Sequence, residues 1–296
     1  VSSVGKPRVT VVVVSYNTRD DLVRCLDCLA RHDGSPNEPV EVIVFDNGSR
    51  DGSVEAARLI QTRGLNPLPL RLLASPVNQG YAAASNRAVA KANGKLILLL
   101  NPDAFLPPDG VRRLADVLEQ DDTLGGVAPR LVGEDGETQR TCRRLPGTWD
   151  LLCELTGLSR VLSRSGLFNR WKMGDFDHEE PRRVEQVYAS CWMVRREDFI
   201  GMGGFDTRFP IFFNDVDLAR RLVSAGKFTL YYPQVTVVHR GGSSVGKVRA
   251  RSVLWSHQAF WRYMRKNGPR FNPLLWLLAF PLAVAAPLRV LWREIS

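Results

Sequence analysis

The 296-residue sequence is poor in cysteine, and its five (Cys25, Cys28, Cys142, Cys153 and Cys191) form an odd set without regular framework spacing. That excludes a disulfide scaffold and reads as reduced thiols in a cytoplasmic compartment. Cys25 and Cys28 share a Cys-x-x-Cys on an expected helix with no second pair, so Cys25 reads as a core residue rather than a zinc or redox ligand. Neither Gly-x-Gly-x-x-Gly nor Gly-x-x-x-x-Gly-Lys-Ser/Thr follows any apolar run, which argues against a dinucleotide fingerprint and a P-loop. No basic n-region with an apolar h-region opens the chain, so no cleavable signal is expected. Acids are nearly missing from one end. Arg240 to Ser296 holds ten basic residues against Glu294 alone, so the first 239 residues carry 30 charges of each sign and the net +9 belongs to the tail. With 44% apolar side chains, disorder and fibrous repeats are excluded, and one large or two small globular domains are expected.

The apolar runs are what the chain has in quantity. Val9 to Val14 is continuous and β-branched, which suits a central parallel strand, and it stops at Ser15-Tyr16-Asn17. Residues 19 to 32 place Leu22, Cys25, Leu26 and Leu29 on one helical face, with Asp20 and Asp21 in the first turn. The unit repeats. Val42 to Phe45 runs into Asp46-Asn47-Gly48-Ser49 and a helix near 54 to 60, and Arg71 to Leu73 precedes Asn78-Gln79-Gly80 and a helix from Tyr81 to Ala92. Lys95 to Leu100 leads to Asn101-Pro102-Asp103 and a helix from Asp109 to Glu119. Such alternation predicts a doubly wound α/β sheet with ligand bound along the carboxyl edge of its strands. Later strands are expected at 126 to 131, 187 to 194, 228 to 232 and 235 to 239, with a helix at 216 to 225 that Gly226 ends. The polar stretch between residues 131 and 187 is expected to mix helix and loop.

Several residues are placed for chemistry. Asp46 and Asp103 each sit just beyond a buried strand, where a carboxylate can bind ligand or a hard cation without being desolvated in the core. Asp46 alone reads more readily as a turn or capping residue. Asp103 is sharper, because Asn101 and Asp103 flank a rigid proline and offer oxygens near one point. Asp215 and Asp217 start a helix whose dipole favours ionised carboxylates, one of them a cap and the other free to act as a general base. His239 ends a strand before a polar glycine- and serine-rich loop. A histidine there is usually structural, but with Asp103 on the same edge it could complete a metal site.

Taken in order, Val-Ser-Tyr-Asn (14 to 17), Asp-Asn-Gly-Ser-x-Asp-Gly (46 to 52), Asn-x-Gly-Tyr (78 to 81), Asn-Pro-Asp (101 to 103) and Asn-Asp-Val-Asp-Leu (214 to 218) resemble family 2 inverting glycosyltransferases. The resemblance covers roughly residues 8 to 244. It is nearest to bacterial rhamnosyltransferases of cell-wall and O-antigen assembly through Asn-Pro-Asp, Ser-Cys-Trp-Met-Val-Arg-Arg (190 to 196), Gly-Gly-Phe-Asp (203 to 206) and the His239 loop. It implies a GT-A fold, a Rossmann-like mixed sheet. Ser15, Tyr16, Asn17 and Asp46 would hold the nucleotide, Asp46 facing the base, with Asn47, Asn78, Gly80 and Asn101 lining the same site. Asp103 would bind Mn²⁺ or Mg²⁺ on the diphosphate. The family usually has Asp-x-Asp, so Asn101 removes one anionic ligand, and the resemblance leaves His239 to supply the contact. Asn214 stands where the family has Glu, and the base role is carried to Asp215 only.

The implied reaction moves a sugar, dTDP-rhamnose being the favoured donor, to a hydroxyl of a lipid-linked glycan in envelope polysaccharide synthesis. The expected domains are a catalytic unit over residues 1 to 239 and a basic, Trp-rich segment over 240 to 296. Pro273 to Leu288 is uncharged, yet its 16 residues would make a helix of about 24 Å, too short to span. Flanked by arginines and tryptophans, the segment reads as an anchor on an anionic membrane, on the inner face of the cell membrane, rather than a helix packed on the body or on a second copy. The rivals are a UDP- or GDP-sugar donor, nucleotidyl transfer, and a non-catalytic nucleotide- or membrane-binding module. Nucleic acid is disfavoured, because carboxylates on the ligand edge repel phosphate chains.

Overall fold

The computed structural model describes residues 6–32, 39–64, 69–241 and 249–268. Four parallel strands come first: β1 (Val9–Ser15), β2 (Val40–Asp46), β3 (Leu70–Ala74) and β4 (Leu96–Leu100). Every residue of β1, β2 and β4 is buried, as expected of strands covered on both faces. Between them run α1 (Arg19–Leu29), α2 (Ser53–Arg63) and α3 (Tyr81–Val89). After β4 come β5 (Ala104–Phe105), α4 (Gly110–Glu119), β6 (Leu124–Val132) and β7 (Thr138–Gln139), then α5 (Thr148–Thr156) and α6 (Leu158–Val161). The chain continues through β8 (Arg182–Val184), β9 (Cys191–Arg195), α7 (Arg196–Gly201), α8 (Asn214–Ser224), β10 (Phe228–His239) and α9 (Arg249–Asn267).

The sheet order is β3-β2-β1-β4-β9-β6-β10-β5, with β7 on β6 and β8 on β10. It is mixed: β9 runs antiparallel to both β4 and β6, and β10 runs parallel to β6. This orientation decides where the site lies. The carboxyl ends of β1, β2, β4 and β10 and the amino end of β9 all reach one edge, bringing together chain segments more than two hundred residues apart.

One expected pair of strands is a single strand. Residues 228 to 239 pair continuously with β6 except for register shifts at Phe228/Thr229 and at Tyr232/Thr236. The second shift takes up Pro233, which has no N–H to give a ladder. The strand expected over 187 to 194 begins only at Cys191, because residues 185–190 serve as the edge loop instead.

Two clusters of apolar side chains fill the sheet faces. Cys25 is 1% exposed in one of them, as its position on the helix stripe predicts. A third cluster lies away from the sheet. There Ala259, Phe260, Tyr263 and Met264 of α9 pack against Leu151, Phe209, Phe213 and Val216. Lys266 of α9 adds ion pairs to Asp206 and to the fully buried Asp217, which Arg221 also holds at 2.8 Å. The first part of the segment expected as an anchor is thus a helix docked on the body, driven by burial of its aromatic stripe. The apolar Pro273 to Leu288 run lies outside the described residues. No helix among the described residues is long and apolar enough to cross a membrane.

Candidate active site

Three loops at the carboxyl edge are tied into one surface. Ser15 and Asp46 are register partners at the ends of β1 and β2, and Asn47 N–H donates to the Ser15 carbonyl at 2.8 Å. Asn17 takes a positive φ of 53°, tolerable for asparagine. In that turn its N–H donates to Ser49 Oγ at 2.9 Å and its Oδ1 accepts from Arg50 N–H at 2.8 Å. Asn47 stitches the third loop in: Nδ2 donates to Asn78 Oδ1 at 3.0 Å, and Oδ1 accepts from Gln79 N–H at 2.9 Å. Gly80 sits at φ +82°, and a Cβ there would lie 2.8 Å from the Pro210 side chain, so only glycine lets the 206–213 loop close over this surface. Tyr16 leaves its ring 37% exposed beside it.

Asp46 is 1% exposed and does two things. Its Oδ1 accepts from the N–H groups of Gly48 (3.1 Å) and Ser49 (2.9 Å), the turn role that the residue type alone suggests. Its Oδ2 is buried with no hydrogen-bond partner among the described residues. A buried carboxylate oxygen without a donor is costly, so this atom is a reserved acceptor at the base of the loops.

On the other side of β4, Asn101 Nδ2 donates to Ser190 Oγ at 3.2 Å and Asn101 N–H to the Ser190 carbonyl at 2.8 Å. Asp103, 5% exposed, lies with Oδ1 3.5 Å from His239 Nε2. β5 pairs Ala104 with His239, which is why residues 136 apart meet here. Gln139 then fixes the imidazole. Its Nε2 donates to the His239 carbonyl at 2.7 Å, so its Oε1 is the atom 2.7 Å from His239 Nδ1 and must accept a proton from it. In its neutral form the ring therefore carries its lone pair on Nε2, a buried atom with no hydrogen-bond partner, turned toward the carboxylate. The carboxylate suits a hard cation, and of the hard cations Mn²⁺ accepts an imidazole nitrogen beside it more readily than Mg²⁺. Among the described residues no group of three or more His, Cys, Asp or Glu could hold a metal alone, so further oxygens would have to come from ligand or water.

Asp215 begins α8. Its Oδ1 accepts from Val216 N–H at 2.8 Å, its Oδ2 accepts from Gln186 Nε2 at 3.3 Å, and the Ala189 N–H also reaches the carboxylate. Desolvation outweighs these donors and pushes its pKa up to about 6. Asp217, two residues on, is a structural anion between Arg221 and Lys266. Asn214 is buried and donates to the Ile211 carbonyl at 2.7 Å, shaping the turn that presents Asp215. Tyr81 closes the link to the nucleotide-side loops, its hydroxyl 3.5 Å from the Ala189 carbonyl. Gln139, Gln186 and Ala189 were not distinguished by the sequence patterns, and Ser190 only as the first residue of the Ser-Cys-Trp-Met-Val-Arg-Arg motif. The only local hint is that residues 185–190 directly precede an apolar strand at the ligand edge.

A family model described as glycosyl transferase family 2 matches residues 10–201, which holds the loops of β1 to β4 and β9. The chain belongs to glycosyl transferase family 2. It is a glycosyltransferase. It is 30% identical to an N-acetylglucosaminyl-diphospho-decaprenol L-rhamnosyltransferase of Mycobacterium tuberculosis, over 95% of this chain and 92% of that protein. It is 27% identical to the O-antigen biosynthesis protein RfbC of Myxococcus xanthus, over 93% of this chain but 21% of the longer relative. Among solved structures it superposes on the mannosyltransferase PcManGT of Pyrobaculum calidifontis, in complex with GDP-Man and Mn²⁺, with a TM-score of 0.61 at 24% identity, covering 96% of this chain and 72% of that one. The TarS fragment of S. aureus gives 0.58 at 14%, over 96% and 82%. These likenesses establish the GT-A fold for this family 2 chain.

Proposed function

We propose that this glycosyltransferase inverts the anomeric centre of a nucleoside-diphosphate sugar while moving it to a hydroxyl of a lipid-linked diphosphate glycan. The observation that carries the reading is Asp215: a carboxyl at the ligand edge with its pKa raised to about 6, still ionised at neutral pH and a stronger base than an ordinary aspartate. The acceptor hydroxyl gives its proton to Asp215 as its oxygen attacks the anomeric carbon. The sugar–oxygen bond to the diphosphate breaks on the opposite face, and the nucleoside diphosphate leaves with that electron pair. Ser15, Tyr16, Asn17, Asn47, Asn78, Gly80 and Asn101 line the donor side. Asp46 offers its unpartnered Oδ2 to a base N–H. Asp103 and His239 would hold a divalent cation, Mn²⁺ better than Mg²⁺, whose charge offsets that gathering on the departing diphosphate.

The likeness to the mycobacterial L-rhamnosyltransferase, at 30% identity over nearly the whole chain, favours L-rhamnose and a diphosphate-linked N-acetylglucosamine acceptor, with dTDP-rhamnose as the donor to be tested. A thermal-shift panel of dTDP, UDP and GDP, each with and without Mn²⁺, tests the donor half. dTDP is expected to raise the melting temperature most, and more with Mn²⁺. No stabilisation by any of the three would refute a nucleotide site, and a larger shift with GDP would reassign the donor.

Catalysis on a lipid-linked acceptor fits residence on the inner face of the cell membrane. The basic segment from Arg240 onward is suited to anionic headgroups, and Leu254 (39%) and Trp255 (37%) on α9 remain exposed beside its docked stripe. Flotation of the full chain with phosphatidylglycerol vesicles is expected to succeed at low salt and weaken at high salt. Absence of binding at either would remove the membrane from the proposal.

A further inference from the structure

Next to the base stands an aromatic ring to which the reaction scheme gives no task. Tyr188 is 41% exposed, two residues from Gln186 and adjacent to Ala189, the residues that donate to Asp215. Single exposed aromatics are ordinary. This one is unusual in how firmly it is held. Arg143 Nη2 donates to its hydroxyl at 2.7 Å, and the guanidinium carbon lies 4.8 Å from the ring centroid. Arg143 is itself 8% exposed, and its Nη1 donates to the carbonyls of Arg140 and Cys142, both at 2.7 Å. A two-way backbone bridge between Arg143 and Gln186, at 2.8 and 3.1 Å, locks this strut to the segment that carries Tyr188. The same strand of chain holds His239 through Gln139, so residues 139 to 143 run from the Asp103–His239 pair to the neighbours of Asp215.

A ring clamped on one side by a cation and open on the rest has the form of a stacking platform. Its negative π-face is complementary to the polarised C–H groups of a pyranose, and prior immobilisation removes most of the ordering cost on binding. The geometry points to Tyr188 as the sugar-stacking residue of the acceptor subsite, with Arg143 as its positioning residue. This rests on the transferase reading above. The acceptor is the sugar concerned because Asp215 takes its proton from the acceptor hydroxyl, whereas the donor nucleotide lies toward the loops of β1 to β3.

Kinetics with the full chain, dTDP-rhamnose and a short-chain polyprenyl diphosphate N-acetylglucosamine test it. Tyr188→Ala is expected to raise the acceptor KM about tenfold or more, with the donor KM and the dTDP thermal shift changed less than twofold. Tyr188→Phe keeps the ring and should move the acceptor KM less than threefold. Arg143→Lys cannot serve two carbonyls and the hydroxyl together, so it should raise the acceptor KM in the parent yet add little in the Tyr188→Ala background. An unchanged acceptor KM in Tyr188→Ala, or a rise in the donor KM in its place, overturns the platform. Full additivity of Arg143→Lys overturns its positioning role. Wild-type protein that binds dTDP but transfers to no diphosphate-linked sugar overturns the transferase reading itself, and this inference with it.

Discussion

Asp215→Asn is expected to lower turnover about a thousandfold while leaving the dTDP thermal shift within a degree or so of the parent. The amide has the same shape and its oxygen can keep the contact from Val216 N–H, but its NH2 cannot accept from Gln186 Nε2 and the group cannot take the acceptor proton. The parent should show an acid limb in kcat/KM near pH 6, where the free-enzyme carboxyl loses its charge. The same shift has an opposite consequence for stability. The folded pKa of about 6 lies above the ordinary value of 3.8, so the folded state disfavours the charged form. Any stability tied to this proton is fully present below pH 3.8 and is lost as pH rises through 6. The Asn variant never ionises there, so its melting temperature should gain on the parent's as pH rises from 4 to 8. A variant that keeps parental turnover eliminates Asp215 as the base. A melting difference that does not vary with pH would show that its carboxyl is not raised.

The first hundred residues were legible because each strand there is a run of apolar residues ended by a polar loop, and burial on both faces of a parallel sheet requires that pattern. Asp46 and Asp103 stand out in that punctuation as loop carboxylates, Asp46 more readily as a turn residue and Asp103 more sharply through Asn101-Pro102-Asp103. The half of the site around the base was less legible for a physical reason. Asp215 accepts hydrogen bonds from residues 186 and 189, which lie in an irregular stretch whose regular elements are short helices at Thr148–Thr156 and Leu158–Val161 and strands of two and three residues. Such pieces have too few turns or alternations to reveal a period, and backbone donors such as Ala189 N–H have no residue signature. The Glu-for-Asn214 departure had an answer that only the structure gives: Asn214 is spent on the Ile211 carbonyl, a conformational task that leaves Asp215 as the presented carboxylate. Asp215 and Asp217 were told apart in the sequence only by the family resemblance; the physical difference is that α9 places Lys266 against the second.

Asp103→Ala is expected to reduce kcat/KM about a hundredfold or more and to abolish the response to added Mn²⁺. The tautomer of His239 decides the outcome. Gln139 has both amide ends engaged, one on the His239 carbonyl and one on Nδ1, so the imidazole cannot turn its lone pair away from Asp103 without breaking two hydrogen bonds at once. A structural histidine would normally have Nε2 hydrogen-bonded when buried; here that atom has no such bond and lies 3.5 Å from a carboxylate oxygen. A cation bound between them would give His239 Nε2 a partner, and with Asn101 in place of a second acid the imidazole is the ligand that makes up the set. Gln139→Ala discriminates this from a simple ion pair. Freed of its restraint, the ring can adopt either tautomer, so the Mn²⁺ concentration for half-maximal activity should rise about tenfold while activity at saturating Mn²⁺ recovers most of the parental value. If His239 merely paired with Asp103 as a cation, Gln139→Ala would leave the Mn²⁺ titration where it was, and Asp103→Ala would still respond to the metal.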